Sequence, residues 1–233
     1  MFDPKQLLDQ FLGSQVPGTR STVGEKAGDA VQLARDNPLA TGAIAAVLLG
    51  TGPGRALTGS ALKLGGLAVV AGLGYQAYKN YQAGRAPQES GAPRLDAEVV
   101  PQAAQSGFDT TVENVDDDFA LALIRAMISA ARADGHIDDD EREHIAGRLA
   151  VSGLAEDAQA FITRELNQPM PLEDIIAAAR SEEQKVEIYT ASRLAIEPNS
   201  RAERGYLEML AGRLGLADAL VEHIEATVAG LTV

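Results

Sequence analysis

The fold of this chain is decided by residues 124–145, which read Ile-Arg-Ala-Met-Ile-Ser-Ala-Ala-Arg-Ala-Asp-Gly-His-Ile-Asp-Asp-Asp-Glu-Arg-Glu-His-Ile. Apolar side chains recur at helical spacing on both sides of Asp134-Gly135, a dipeptide that favours a tight turn. Asp138 and Glu141 have the spacing of a capping box, which indicates the start of a second helix. The stretch is therefore predicted to be a helix-turn-helix unit with an acidic corner.

A second stretch, residues 191–214, repeats this pattern. It has an apolar helix end, an acidic corner, a capping box formed by Ser200 and Glu203, and a following helix. Both stretches end in Ala-Gly-Arg-Leu, at 146–149 and at 211–214. We interpret them as two pseudo-repeated helix-turn-helix units. The alternative is coincidence, because Ala, Arg and Leu are all common in helices.

The pattern after residue 118 is helical almost throughout, and no alternating run of β-branched residues indicates a strand. Ser181 is expected to cap the start of a helix and Gly215 to follow the end of one. The sequence therefore predicts an all-α fold in which a Gly/Ala-rich hydrophobic helical region precedes a C-terminal bundle. That bundle should have about seven helices, at 117–133, 138–151, 154–167, 172–180, 182–196, 200–214 and 216–229.

Charge is distributed unevenly along the chain. Residues 1–94 carry nine Lys/Arg and six Asp/Glu, a net charge of +3, whereas residues 95–233 carry eleven and twenty-seven, a net charge of −16. The acidic half should repel nucleic acid and attract cations or basic proteins, with a merely solvated surface as the alternative. The chain has no cysteine, which excludes disulfides, thiolate metal ligands and a cysteine nucleophile.

Composition predicts four segments. Residues 1–36 begin with an amphipathic helix, residues 37–82 are Gly/Ala-rich and hydrophobic, residues 83–118 have the prolines and low hydropathy of a flexible linker, and residues 119–233 form the acidic helical domain.

The Gly/Ala-rich segment, residues 37–82, is predicted to associate with a membrane. Small residues recur at every fourth position, at Gly42, Ala46, Gly50 and Gly54. This spacing lets helices pack closely in lipid. Glycine costs about 1 kcal/mol against Ala inside a water-soluble helix, which argues against a soluble role. A single span and a short hairpin are both compatible with the pattern; a glycine-rich hairpin buried in a soluble core and disorder are the alternatives. Replacing Leu67 and Val70 with Asp should release an anchored chain from membranes.

The sequence resembles the TerB-like superfamily, named for a tellurite-resistance protein. It is most similar to the bacterial branch with a Gly/Ala-rich hydrophobic N-terminal region, typified by the uncharacterised YebE inner-membrane proteins. The resemblance is carried by residues 1–12, 131–138, 141–142, 194–199 and 202–207. It implies an all-α fold and a role in divalent-metal or stress-linked membrane processes, and it implies no established enzyme activity.

The two acidic corners contain candidate ligands for a hard divalent cation, Ca²⁺ or Mg²⁺, which prefers oxygen donors. These candidates are Asp134, Asp138, Glu141, Glu197, Asn199 and Glu203. The first corner resembles half of an EF-hand loop, but Ala130 and Arg132 stand where that loop needs oxygen ligands, which excludes a genuine EF-hand. The corners would have to meet to complete one site. The alternative is that these acids only cap helices and favour their N-terminal dipoles.

No catalytic residue, cofactor or enzyme activity is predicted, because no glycine-rich nucleotide loop follows a strand and nothing marks a substrate pocket. We expect a non-enzymatic, membrane-tethered helical module that responds to divalent cations or stress and binds an unknown protein through its acidic domain. The resemblance implies a location at the bacterial inner membrane. Lys79 and Arg85, which follow the second apolar run, favour a cytoplasmic position for the acidic domain. The alternative is a soluble helical scaffold that forms homo-oligomers through its Gly/Ala-rich region.

Overall fold

The computed structural model describes residues 3–12, 66–87, 99–111, 113–133, 155–196 and 198–229. Within these ranges the chain forms nine α-helices and no strand, which confirms the predicted all-α fold. In chain order the helices are α1 (Pro4–Leu12), α2 (Gly66–Gln82), α3 (Val99–Gln105), α4 (Asp117–Ala131), α5 (Glu156–Asn167), α6 (Leu172–Ala177), α7 (Glu182–Ala195), α8 (Arg201–Leu214) and α9 (Asp218–Ala229). The predicted helix 138–151 lies outside the described residues, so the pseudo-repeat stays a prediction.

Local capping chemistry explains where several helices begin and end. The Asp116 carboxylate accepts the Phe119 N–H at 2.8 Å to start α4, and the Ser181 hydroxyl accepts the Gln184 N–H at 3.2 Å to start α7. Gly215 ends α8 with φ of 70°, in the left-handed region that glycine adopts without a steric penalty. The caps predicted at Ser181 and Gly215 are therefore confirmed.

Helix α7 lies at the centre of the bundle. Its eight consecutive residues 186–193 are all buried, so the helix is covered on every side. It packs on α2, α4, α8 and α9. The polar side chains of these eight residues can therefore form hydrogen bonds only with other parts of the protein.

Helix α2 carries part of the apolar sequence that was predicted to enter a membrane. Residues 67–74 are all buried, and α2 packs on α1, α3, α7 and α9. Leu67 is 2% exposed and Val70 is 0% exposed, and burying a side chain of this kind favours folding by about 1.5–3 kcal/mol. In the part of the chain that the structure describes, no helix is long and apolar enough to cross a bilayer.

The predicted membrane segment, residues 37–82, is described only from residue 66 onward. Its described part packs in the bundle, because other helices of the chain cover the apolar side chains of α2, whereas residues 37–65 lie outside the described residues. Asp at positions 67 and 70 would disrupt this core whether or not the chain touches a membrane. The substitutions Leu67→Asp and Val70→Asp therefore cannot separate an anchor from a core helix.

The predicted flexible linker, residues 83–118, is structured over its described ranges. Helix α3 lies within it and packs on α2, and the side chains of Phe108 and Val115 are buried. Gly107 has φ of 88°, a conformation that side chains other than hydrogen rarely adopt, and it turns the chain so that Phe108 reaches the core. The structure differs from the prediction here because these apolar side chains add to the core that helices on both sides of the segment share.

The amphipathic helix predicted at residues 3–12 is confirmed as α1. It buries Leu7 and Leu8 and packs on α2 and α4. Elements from the N-terminal, Gly/Ala-rich, linker and acidic segments thus contribute to one hydrophobic core. The boundaries predicted for the four segments mark changes in amino-acid composition, and they stay a prediction.

Candidate functional site

The structure describes two of the six predicted metal ligands. Asp134, Asp138, Glu141 and Glu197 lie outside the described residues. Asn199 is exposed, and Glu203 is half-buried. Over the described ranges, no group of three or more His, Asp or Glu side chains is arranged to hold a metal ion.

Glu203 has a structural role in the second corner. Its carboxylate accepts the Ser200 N–H at 2.8 Å while the Ser200 hydroxyl accepts the Glu203 N–H at 3.1 Å, which confirms the predicted capping box. The Arg204 guanidinium donates to the carbonyl oxygens of Pro198 and Asn199 at 3.0 and 2.9 Å. At Glu203 the observed hydrogen bonds are those of a helix cap, which is the alternative to a metal site.

A different group of carboxylates gathers at the end of the bundle where α4 and α7 begin. We call it the acidic cluster, and its members are Asp109, Asp116, Glu182, Glu183 and Glu187. They come from the segment after α3, the N-cap of α4 and the first two turns of α7. The Arg180 guanidinium lies 3.3 Å from the Asp116 carboxylate and so joins the start of α4 to the start of α7.

Glu187 is the buried member of the acidic cluster and is 0% exposed. Its Oε1 accepts the backbone N–H of Asp109 at 2.6 Å, and its Oε2 has no hydrogen-bond partner among the described residues. Burial raises the pKa of Glu187 well above its usual value, and the charges of Asp109 and Glu183 raise it further, while the Asp109 N–H opposes them. The neutral acid is therefore favoured over a wider pH range than in an exposed glutamate.

Asp109 is half-buried beside Glu187. Its pKa is also raised, by burial first and then by the charge of Asp116, against the hydrogen bond that the Gln184 side-chain amide donates at 3.2 Å. Two acids of raised pKa thus face each other across the contact between α7 and the segment after α3. Acids with raised pKa values occur at functional sites and also in structural networks of charged residues. The contacts of this pair therefore have to decide between a functional and a structural role.

The next residue, Phe108, holds this segment in the core. Its ring meets the rings of Tyr75 and Tyr78 edge-on, with centroid separations of 5.8 and 6.0 Å. A Cβ at Gly74 would lie 3.3 Å from the Phe108 ring and 3.1 Å from Val186, so glycine at this position lets α2, α7 and Phe108 meet closely. The acidic cluster therefore lies next to the closely packed rings of Phe108, Tyr75 and Tyr78.

Three further polar contacts hold helices together. The Glu225 carboxylate of α9 accepts the Tyr189 hydroxyl at 2.8 Å and the Arg193 Nε–H at 2.6 Å, both from α7. Burial raises the pKa of Tyr189, and the neighbouring Glu225 carboxylate raises it further. Arg125 of α4 pairs with the buried Glu165 of α5 at 3.0 Å. These pairs join α7 to α9 and α4 to α5.

Sequence reasoning missed the pair formed by Asp109 and Glu187. The available signal was the sequence Val-Glu-Ile-Tyr at residues 186–189, which places Glu187 within an apolar run. The helix that contains this run has polar residues on several faces. That signal indicates a buried acid, but it does not indicate the partner, which is 78 residues away.

Comparison with known proteins gives the chain a family. The profile of the DUF533 family, described as a protein of unknown function, matches residues 35–228, so the chain belongs to that family. It is also similar to a Yersinia enterocolitica protein described as "Uncharacterized protein in ampR 5'region", with 26% identity over 106 residues, which are 46% of this chain and 76% of the Yersinia protein. No solved structure matches the chain.

Proposed function

We propose that this chain is a non-enzymatic, TerB-like helical module that is tethered to the bacterial inner membrane and binds a basic protein through an acidic surface. The proposal depends on the exposed carboxylates at the end of the bundle where α4 and α7 begin. This acidic surface consists of Asp116, Asp117, Asp118 and Glu182, all of them exposed.

The nearby cations leave the acidic surface available to a partner. Lys5 lies 3.9 Å from the Asp117 carboxylate and Arg180 lies 3.3 Å from that of Asp116. Exposed pairs of this kind contribute about 0–1 kcal/mol, so a basic partner can replace them at little cost. The net charge of −16 over residues 95–233 adds long-range attraction for such a partner.

A defined basic peptide tests this surface. We expect fluorescence-labelled decalysine to bind the full chain at low salt. The triple variant Asp117→Asn, Asp118→Asn, Glu182→Gln should bind it about 3–150-fold more weakly, taking about 0.2–1 kcal/mol for each lost surface charge. Asp116 is kept because it caps α4.

The matched control removes three exposed acids elsewhere, on α8 and α9: Glu208→Gln, Asp218→Asn and Glu222→Gln. It has the same net charge as the test variant and should bind nearly as well as the unmodified chain. Equal weakening in both variants would mean that only total charge matters, and the acidic surface would lose its role.

The tether is assigned to residues 37–65, because the described part of the Gly/Ala-rich segment is covered by protein. Within it, residues 37–54 are uncharged. The cytoplasmic leaflet of a membrane is anionic and repels an acidic domain, so a tethered chain would present the acidic surface away from the lipid.

Cell fractionation tests the tether. Ile44→Asp with Leu48→Asp should move the chain from the membrane fraction to the supernatant, because each charge costs about 2.5–3.5 kcal/mol near the centre of a spanning helix. The control, Ala202→Asp with Gly205→Asp, adds the same charge at exposed positions of α8 and should stay with the membranes. An unchanged distribution of the first variant would refute the tether.

The second candidate function is a soluble scaffold that self-associates through its Gly/Ala-rich region. The observation in its favour is the burial of α2 in the bundle. Release of the chain by high salt without detergent, together with a dimer or larger species on sizing, would favour this candidate. The response to divalent cations that the TerB-like resemblance implies would depend on the acidic corners.

A further inference from the structure

We propose that Glu187 and Asp109 form a proton-controlled latch, which holds residues 106–111 against α7 while Glu187 is protonated and releases them when it ionises. The latch requires neither the membrane tether nor the basic partner. It depends on the contact between two acids from separate parts of the chain and on the burial of one of them.

The closed geometry suits a neutral Glu187. The Oε1 atom accepts the Asp109 N–H at 2.6 Å, a bond that the carbonyl oxygen of a protonated acid can also accept. The Oε2 atom is buried and receives no hydrogen bond from the described residues, which a full negative charge would require. The side-chain amide of Gln184 holds the Asp109 carboxylate in place at 3.2 Å.

The charged groups around this contact oppose ionisation of Glu187. Asp109 faces it from the segment after α3, with Asp116 of the α4 N-cap behind Asp109, and Glu183 faces it from the preceding turn of α7. From α2, the Tyr78 hydroxyl lies toward Glu182 and Glu183 and is neutral itself, its pKa being raised chiefly by burial. The Arg180 guanidinium is paired with the Asp116 carboxylate.

Opening follows from the loss of one proton. When Glu187 gives its proton to water, the buried carboxylate is left with one N–H donor and two acidic neighbours, so hydration of the charge favours separation of Asp109 from α7. Phe108, which lies against Tyr75 and Tyr78, has to move with Asp109 because the two residues are adjacent. Opening therefore exposes an apolar ring next to the acidic surface.

The direction of the pH dependence follows from linkage. The folded-state pKa of Glu187 is raised by burial and by its acidic neighbours, so the closed segment binds the proton more tightly than the open one. Closure is strongest below the ordinary glutamate pKa of about 4.3 and weakens as the pH rises through the raised value. Asp109, whose pKa is raised as well, acts in the same direction.

Hydrogen–deuterium exchange of the full chain between pH 5 and 9, corrected for intrinsic exchange rates, tests the latch. In the unmodified chain, protection of peptides covering residues 106–111 should fall at least tenfold with rising pH, while peptides within α4 keep their protection. In Glu187→Gln the amide oxygen still accepts the Asp109 N–H but cannot ionise, so protection should stay high throughout.

Two further variants separate the latch from a general charge effect. Glu182→Gln removes an exposed carboxylate from the same helix and should keep the pH dependence. Asp109→Asn removes the charge that faces Glu187, lowers its pKa and should move the transition to lower pH. Protection independent of pH in the unmodified chain, a dependence unchanged by Glu187→Gln, or an unmoved midpoint in Asp109→Asn would each overturn the proposal.

Discussion

Replacement of Gly74 by Ala measures how closely α2 packs on α7. An added Cβ at residue 74 would lie 3.1 Å from Val186 Cγ1, 3.3 Å from Phe108 Cε1 and 3.5 Å from Thr190 Oγ1. The two shortest distances are below ordinary van der Waals contact, and both neighbours are buried side chains with little room to shift. The methyl group should therefore disturb the contact between the two helices.

The expected magnitude is the balance of two terms. Ala favours the helix by about 1 kcal/mol relative to Gly, whereas overpacking a well-packed core costs about 1–3 kcal/mol. The net change for Gly74→Ala should lie between neutral and a destabilisation of about 2 kcal/mol. Gly212→Ala in α8 is the matched control, because no described atom lies within 4 Å of its added Cβ and only the helix term of about 1 kcal/mol applies.

Urea unfolding of both variants, followed by helical circular dichroism, gives the comparison. The free energies of unfolding should differ by about 1–3 kcal/mol, which is the packing term alone. At a slope of about 2 kcal/mol/M this difference separates the midpoints by about 0.5–1.5 M. If Gly74→Ala stabilises the chain as much as Gly212→Ala does, α2 does not pack on α7 at this contact, and residues 66–82 become available for a membrane again.

The other predictions concern the pair between α7 and α9, a cap and the acidic corners. Glu225→Gln should lower the free energy of unfolding by about 2–3 kcal/mol, because Arg193 is left as a buried unpaired cation; Glu222→Gln, exposed on the same helix, should change it by less than about 0.5 kcal/mol. Ser200→Ala should cost about 1 kcal/mol in a urea titration, and no loss would mean that the capping box contributes nothing. Millimolar Ca²⁺ or Mg²⁺ should raise the melting temperature if the corners bind a cation, and Asp134→Asn with Glu203→Gln should remove the rise; an unchanged melting temperature in the unmodified chain would favour the capping alternative.

Most helices and several of their ends were accessible from the sequence because they depend on neighbours along the chain. The hydrogen bonds at Ser181 and Ser200 join residues only three positions apart, and the left-handed conformation of Gly215 requires only a residue without a Cβ. The same local rules predicted α1 from its apolar periodicity. They explain why the all-α class and most helix limits agree with the structure.

The role of α2 could not be predicted in this way. A run of Leu, Val, Ala and Gly has the same composition whether it packs in lipid or against other helices. Only the positions of α1, α3, α7 and α9 around it decide which surroundings its side chains have. Residues 83–118, which include the segment after α3, are similarly predicted to be flexible from their prolines and low hydropathy. Sequence alone does not reveal that Phe108 reaches the rings of Tyr75 and Tyr78.

The sequence by itself thus determined the class of the fold, most of the helix limits and the concentration of negative charge in residues 95–233. Tertiary structure alone decided which acids meet. Glu203 remained with its local partner Ser200, whereas Glu187 met Asp109, 78 residues away. The physical reason is that a cap satisfies a backbone group within one turn, while the environment of a buried carboxyl depends on which helices exclude water from it.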